Sequence, residues 1–500
     1  MSHFGIVDGV IVAAYLVATL VAGLAVRRYV GKVEDYLVAG RTMDVHLGIA
    51  SLAATEFGIV TCMYTAQNGY KYGFSGATPG LLWALAMFVV GVTGFCIRPL
   101  REAGVMTLPE LFESRFGPRV RWAAGVVIVL GGLLNMGVFL RTGGEFLVRV
   151  LGLAEVSGAS FARGHVLELT MTALLLLVAV YTVMGGMLSV LVTDFLQFVV
   201  MSLGLLAVTL LVLWSVGWDT LSQAVWGAYG AAGFNPLVHP DMGWPYVLFN
   251  VFLNLANVLT WQTAIQRVMS ARDAATGQRV YTRTAFFFVA RFLVPGLWGI
   301  AALAALGPGR SGADALNAMP TWLGGFLPVG LMGLLIAAML AADMSTDSSY
   351  MLTWASVIYN DILAPWRKGW SERRGLLVNR AIVAGIGVFL LFYGLWYPLE
   401  GDLWTYLGVT GTIYLASMST LLVACCYWSR ANDWGAWAAI VVGAAIPVGY
   451  LVLEQLPTTA AFARTQVGPY WSGIAAYVGA ALGMVVGSLA KPQRHAGGRP

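Results

Sequence analysis

Apolar residues run along this chain in long, nearly unbroken blocks, joined by short polar connections. The blocks fall near 5–26, 46–68, 76–97, 122–145, 166–186, 190–216, 243–265, 284–306, 324–358, 378–397, 403–428, 434–454 and 470–490. A helix needs roughly 20 apolar residues to cross about 30 Å of hydrocarbon. The pattern therefore predicts an all-α integral membrane protein with about thirteen transmembrane helices. The ninth block is long enough for its helix to continue past the bilayer. Segment 217–242 carries apolar residues at helical spacing and is expected to lie along the membrane surface. The tail, 491–500, is short and polar and is expected to be disordered.

Composition agrees. Hydrophobic residues make up 59% of the 500, charged residues 11%, and the mean hydropathy is +0.76. A soluble domain carries roughly 25% charged residues, so this chain could not cover a water-facing surface. Its net charge of +5 tracks topology rather than nucleic acid. With the N-terminus outside, Lys and Arg gather in the inner connections 27–45, 98–121, 266–283 (Arg267 among them) and 359–377, while 217–242 has neither. That asymmetry follows the positive-inside rule and predicts a multi-pass protein of the cell membrane with a cytoplasmic C-terminus. The first block has no basic residues before it, so it is read as a span and not as a cleaved signal peptide. The five histidines are scattered, no H-E-x-x-H or G-x-S-x-G occurs, and the four cysteines show no metal-ligand spacing. An enzyme is not expected.

Polar residues inside lipid-length helices are costly and call for a reason. Four groups stand out. Thr55, Glu56, Phe57 and Gly58 interrupt the second block; glycine there permits an unwound segment with free carbonyls. Glu56 itself is either a functional carboxylate or a structural one paired to a neighbouring helix. Arg291, with Pro295 one turn on, either snorkels to the interface or pairs with an ion or ligand. In the ninth block Ala342, Ser345 and Thr346 share one helical face. The hydroxyls either bond the carbonyl at i−4 or serve as hard ligands for a cation; Asp343 and Asp347 stand one step round. Asn250, Asn254, Asn257 and Trp261 recur on one face of the seventh block, as interhelical bonds or as the wall of a wet cavity.

Several stretches now point one way. DYLVAGR (Asp35–Arg41), TLPELFESRF (Thr107–Phe116), YTVMGGMLSVLVTDFLQ with Thr193, Asp194 and Gln197, the Gln262 and Gln266–Arg267 pattern, and AADMSTDSS follow one another along the chain. In this order they resemble the motifs of the sodium:solute symporter family over roughly residues 33–430. The resemblance implies two inverted five-helix repeats plus peripheral helices, with binding sites at mid-membrane where the first helix of each repeat is broken. It divides the chain into an extra helix at 1–30, repeats at 46–216 and 243–428, and peripheral helices at 434–490. Glu56–Gly58 falls where the first break belongs. The seventh block has no Gly or Pro, so its break rests on the resemblance alone.

The family's shared sodium site then maps onto the carbonyls of Ala54, Phe57 and Ala342 and the hydroxyls of Ser345 and Thr346. Asp194 falls where some members place a further cation-linked carboxylate. The solute region would take in Glu56, Gly58, Thr61, Asn254, Asn257 and Arg291. Here the sequence departs from sugar-carrying members: Leu82, not Glu, precedes Trp83, and Thr61 replaces a Gln. Arg291 falls at their Lys position. A fixed cation without that carboxylate suggests a carboxylate-bearing solute, an organic acid or an amino acid. The expectation is a sodium-coupled symporter of a small organic solute, its other partner the lipid bilayer. Glu56, Asp343 and Asp347 lie outside the usual sodium pattern, so coupling to a proton, or a cationic or chelated solute, is the alternative. A membrane sensor is disfavoured because no kinase-like region follows residue 490.

Overall fold

The structure, a computed structural model, describes residues 4–26, 29, 32–153, 165–363, 365–366, 369–397 and 401–492. Most of the predicted disordered tail, 493–500, lies outside the described residues. Helix α1 (Ile6–Val26) leads into α2 (Val45–Thr55), α3 (Ile59–Tyr72) and α4 (Thr78–Thr93). A short amphipathic α5 (Leu108–Phe116) precedes α6 (Pro118–Met136) and α7 (Phe139–Val150). Next come α8 (Val166–Ser215), the surface helix α9 (Trp218–Tyr229), α10 (Gly243–Thr260) and α11 (Gln262–Ser270). Then follow α12 (Ala274–Leu306), α13 (Leu331–Val357), α14 (Glu372–Trp396), α15 (Leu403–Tyr427), α16 (Asp433–Gln455) and α17 (Pro469–Ala490). Among the described residues there is no strand, only a bridge between Met43 and Ala271.

Ten helical runs among the described residues are long and apolar enough to cross a membrane, against the thirteen stretches expected. Three places account for the difference. The second and third stretches share one run, Ile59–Thr93. The fifth and sixth are joined as α8, 50 residues long. The seventh, α10, is excluded because Asn250, Asn254 and Asn257 dilute its hydropathy. Within α8 the chain still turns, at Gly186 (φ 55°, ψ −151°). A Cβ there would stand 2.5 Å from the Tyr36 ring, so glycine is the residue that fits.

Two helices are interrupted. α2 is capped by Asp44, which accepts from the Leu47 amide at 2.8 Å. It ends at Thr55, and α3 resumes at Ile59 after extended Gly58 (φ −89°, ψ 173°). The second interruption lies at Trp261 (φ −64°, ψ 114°), between α10 and α11. It uses neither glycine nor proline, which explains why the apolar pattern hid it. The halves nearest each other are tied by the bridge: Met43 N donates to Ser270 O, and Arg272 N to Met43 O, both at 3.1 Å.

Helix α13 runs through the middle of the molecule. In its run 89% of the most apolar window is buried against protein, compared with 17% for α1. α16 and α17 pack against each other and against α15, with glycines such as Gly443 and Gly483 at the close approaches.

Candidate functional site

Helix α13 meets the α2–α3 break. Thr346 Oγ1 donates to the Thr55 carbonyl at 2.9 Å. A Cβ on Gly58 would lie 2.7 Å from that same hydroxyl. Close approach to α13, not backbone conformation, therefore demands glycine at the break. Phe57 N turns back to the Ala54 carbonyl at 3.2 Å, and Ala54, Phe57, Ala342, Ser345 and Thr346 are all buried. The segments expected to supply sodium ligands thus come together from both sides.

Ser345 points to a third helix. Its hydroxyl donates to Asp194 Oδ1 on α8 at 2.6 Å, while Ser51 donates to Asp194 Oδ2 at 2.5 Å. Across that carboxylate lies Arg267, 3.2 Å from Oδ2, with both side chains fully buried. Arg267 also donates to Thr55 Oγ1 and Ser349 Oγ, each at 2.6 Å, and to Ser51 Oγ at 3.1 Å. One guanidinium thereby joins α2, α8, α11 and α13. This corrects the sequence reading, which counted Arg267 among the inner-loop charges. Its burial follows from its place one turn before the end of α11, on the bundle side of a half-helix rather than in a loop. A hydroxyl that donates to a carboxylate keeps its lone pairs free, so Ser345 can donate to Asp194 and still face a cation.

Beside the break is a small cavity of about 50 Å³. Thr55, Thr61, Asn257, Arg291 and Thr346 supply polar groups to its wall. Tyr64, Trp83, Phe139, Trp261, Tyr350 and Trp404 supply aromatic ones. A mostly aromatic wall with a few placed polar groups is the usual make-up of a small-molecule site. Trp261 is held by its indole N–H, which donates to Tyr350 at 3.0 Å; the second helix break thereby turns an aromatic ring to the cavity.

Arg291 does not snorkel. It is 5% exposed and stacks with its Cζ 4.6 Å from the Trp83 ring centre. Its Nη2 donates to Thr61 at 3.2 Å and Tyr64 at 3.1 Å, and its Nη1 lies 3.6 Å from Glu56 Oε2. Glu56 Oε1 accepts from Thr263 at 2.6 Å. Glu56 stands behind Arg291 and outside the cavity wall. Asn257 lines the cavity; Asn254 is fully buried, and its neighbour Leu253 takes the wall position instead. Asn250 bonds back to Tyr246 O at 2.9 Å. Asp343 and Asp347 are buried on the other flank of α13, where the Asp343 carboxylate packs on Gly143 of α7.

Sequence reasoning named Asp194, Ser345 and Thr346 but not their partners. Ser51, Thr263, Arg267 and Ser349 sit in ordinary-looking helix, and only Arg267 carried a signal, as the last residue of the Q-x-x-x-Q-R pattern. Trp404 and Tyr350 are aromatics at helical spacing, which look like core.

This arrangement, two broken helices packed on a central intact one around a mid-bundle cavity, defines an inverted-repeat membrane transporter of the LeuT-like class. The profile of the sodium:solute symporter family matches residues 36–443, and the chain belongs to that family. Sodium/glucose cotransporter 4 of Danio rerio is 25% identical over 92% of this chain and 74% of its own length. The sodium/mannose cotransporter of Bos taurus is 26% identical over 90% of this chain and 80% of its own. Among solved structures, a Na+-coupled sialic acid symporter in a substrate-bound outward-open state superposes with a TM-score of 0.77. It covers 98% of both chains at 19% identity. The hydantoin-bound nucleobase-cation-symport-1 transporter gives 0.54 at 14% identity, over 91% of this chain and 94% of its own. The protein is a sodium-coupled symporter of small solutes, not an enzyme.

Proposed function

We propose that this symporter binds sodium between the α2–α3 break and α13, through Ala54, Phe57, Ala342, Ser345 and Thr346 with Asp194 behind them. We propose further that it carries a carboxylate-bearing solute in the adjoining cavity against Arg291. The donors are hydroxyl and carbonyl oxygens, the ligands that hard cations prefer. The carrying observation is that Thr346 touches both sites. It bonds the broken segment at Thr55 and lines the cavity, so ordering either site orders the other. One positive charge crossing 100 mV yields about 2.3 kcal/mol. A roughly tenfold gradient adds about 1.4 kcal/mol. Together they can concentrate a neutral solute several hundredfold per ion.

Arg291 supports the finer reading because Glu56 holds it only at 3.6 Å, leaving its Nη1 and Nε without a hydrogen-bond partner. A solute carboxylate in the cavity would take up the guanidinium's free donors. Sialic acid, carried by the structural neighbour, also bears a carboxylate, whereas the sugar cotransporters' substrates do not. The repeats would comprise 46–216 and 243–428, and the distribution of Lys and Arg supports an N-terminus outside. The test is uptake into proteoliposomes of acids and amino acids against their amides, with and without a sodium gradient. Equal uptake of acid and amide, or wild-type discrimination kept in Arg291→Met, would overturn the solute class. Uptake indifferent to sodium would overturn the coupling.

A further inference from the structure

A cavity of about 530 Å³ lies apart from the central one, at the surface where α6 and α16 begin. Arg119 and Asp433 line it, together with Trp434 and Trp437. By the proposed orientation this is the inner face of the membrane. None of these residues belongs to the sodium or solute sites.

The two helices that border the cavity pack on each other, and each carries an exposed stripe that starts there. On α6 the exposed positions are Arg119, Trp122 and Leu130; on α16 they are Trp434, Trp437, Val441 and Ala445. Steps of three, four and eight residues keep each set on one helical face. Tryptophan opens the apolar part of both stripes, at the depth where indole rings sit among lipid headgroups. Beyond the tryptophans both stripes are wholly apolar. The surface is thus charged at one end and hydrocarbon-like along its length, as a phospholipid is.

Arg119 is set apart from the arginines around it. Arg115 donates to Trp428 O at 2.7 Å, and Arg121 donates to Asp361 at 2.8 Å. Two residues from Arg121, and so on the opposite side of the helix, Arg119 is exposed. It has neither a hydrogen-bond nor an ion-pair partner among the described residues. Asp433 shares the cavity wall with it, yet the two do not form an ion pair. Asn432, which caps α16, is committed to Gly435 N, Ser488 O and Lys491 O. Lys491 stacks on Trp434, its Nζ 3.7 Å from the ring centre. A cation and an anion that share a cavity without touching leave room for a ligand bearing both charges. A guanidinium matches a phosphate, and a carboxylate matches a primary ammonium with its three N–H donors.

We propose that this cavity binds the headgroup of a phosphatidylethanolamine from the surrounding leaflet. Its phosphate lies against Arg119, its ammonium against Asp433, and its acyl chains run along the apolar stripes of α6 and α16. A choline headgroup has no N–H to give Asp433, and a glycerol headgroup has no cation. Soluble phosphoethanolamine offers the same two charges but gains nothing from the stripes.

The test uses the delipidated full chain in detergent micelles. It is titrated with phosphatidylethanolamine, phosphatidylcholine or phosphatidylglycerol of identical acyl chains, or with soluble phosphoethanolamine. The rise in unfolding temperature reports binding, and native mass spectrometry counts the lipid retained. Phosphatidylethanolamine should stabilise at a concentration about tenfold below phosphatidylcholine, the value of one hydrogen bond to a charged group. Arg119→Met should abolish that stabilisation. Asp433→Asn should remove the preference over phosphatidylcholine and leave lipid bound. Arg119 is exposed and Asp433 half-buried, so both variants should fold. Equal responses to the ethanolamine and choline lipids in the wild type would overturn the assignment, as would a stronger response to phosphatidylglycerol. Phosphoethanolamine acting as well as the lipid would make the ligand a soluble one and overturn it too. An unchanged lipid preference in Arg119→Met, or no response to any lipid, would do the same.

Discussion

The Arg267 guanidinium lies 3.2 Å from Asp194, and both side chains are closed off from solvent. Such a pair gains its strength from completeness. Ser51, Thr55, Ser345, Ser349 and the Thr263 carbonyl bond the pair's other donors and acceptors. Removing one partner leaves an unpaired buried charge and costs about 3–5 kcal/mol, whereas removing both is far milder. Arg267→Met and Asp194→Asn should each destabilise the purified protein by that order. The double variant should recover part of the loss. Thermal unfolding in detergent of the two single variants and the double variant measures the coupling directly; additive losses would contradict it.

Ser345 and Thr346 make different second contacts, and their variants should differ accordingly. Ser345→Ala takes a donor from Asp194 and Thr346→Ala takes one from the Thr55 carbonyl. Each also removes one proposed sodium ligand. Half-saturating sodium should rise about tenfold in either, equivalent to about 1.4 kcal/mol, with the ranking of solutes unchanged. Of the two, Thr346→Ala should also raise the half-saturating solute concentration, because Thr346 lines the cavity. Initial uptake rates across a sodium series settle both points; an unchanged sodium response in both variants would refute the assignment.

What the sequence made legible follows from physics that acts locally. Glu56 and Gly58 announced the first break because a carboxylate and a glycine are conspicuous in an apolar run. The face shared by Ala342, Ser345 and Thr346 was visible because helical spacing alone sets it. The break at Trp261 was not, since its backbone turns at an ordinary residue held from outside by Tyr350. Nor could spacing reveal that Arg267 crosses to Asp194, a partner 73 positions away. The division between 166–186 and 190–216 was legible, and the turn at Gly186 inside α8 falls there, although its packing on Tyr36, a contact between remote segments, was not. Asn254 and Asn257 looked equivalent on a helical face, and only packing decides which of them meets the cavity.

Gly58 tests whether the break must stay close to α13. An added methyl would meet Thr346 Oγ1 at 2.7 Å and its Cβ at 3.1 Å. Overpacking of this kind costs about 1–3 kcal/mol. Gly58→Ala should therefore push α13 off the break and abolish sodium stabilisation before it abolishes folding. Thermal unfolding with sodium or choline separates the two. A variant that keeps the full sodium-dependent shift would show that the contact is incidental.

At the far end of α3 a second ion pair ties the broken helix to α15. Lys71 Nζ reaches both oxygens of Asp402, at 2.8 and 2.9 Å, and Tyr72 donates to the same carboxylate at 3.0 Å. Gln67 adds a contact by accepting from the Leu403 amide at 3.1 Å. α3 supplies Thr61 and Tyr64 to the cavity wall and α15 supplies Trp404 and Leu407, so this clamp closes one end of the cavity. By the proposed orientation that end is the outer one. The pair is about one-fifth exposed on each side, so it contributes on the order of 1 kcal/mol, enough for a roughly fivefold change in population. Lys71→Met or Asp402→Asn should favour an outward-opened form. A cysteine placed at Leu407 should then react several-fold faster with a membrane-impermeant thiol reagent added outside. The charge-swapped pair Lys71→Asp with Asp402→Lys should restore protection. Unchanged labelling in both single variants would mean that the cavity is closed by the aromatic packing of Tyr64 on Trp404 alone.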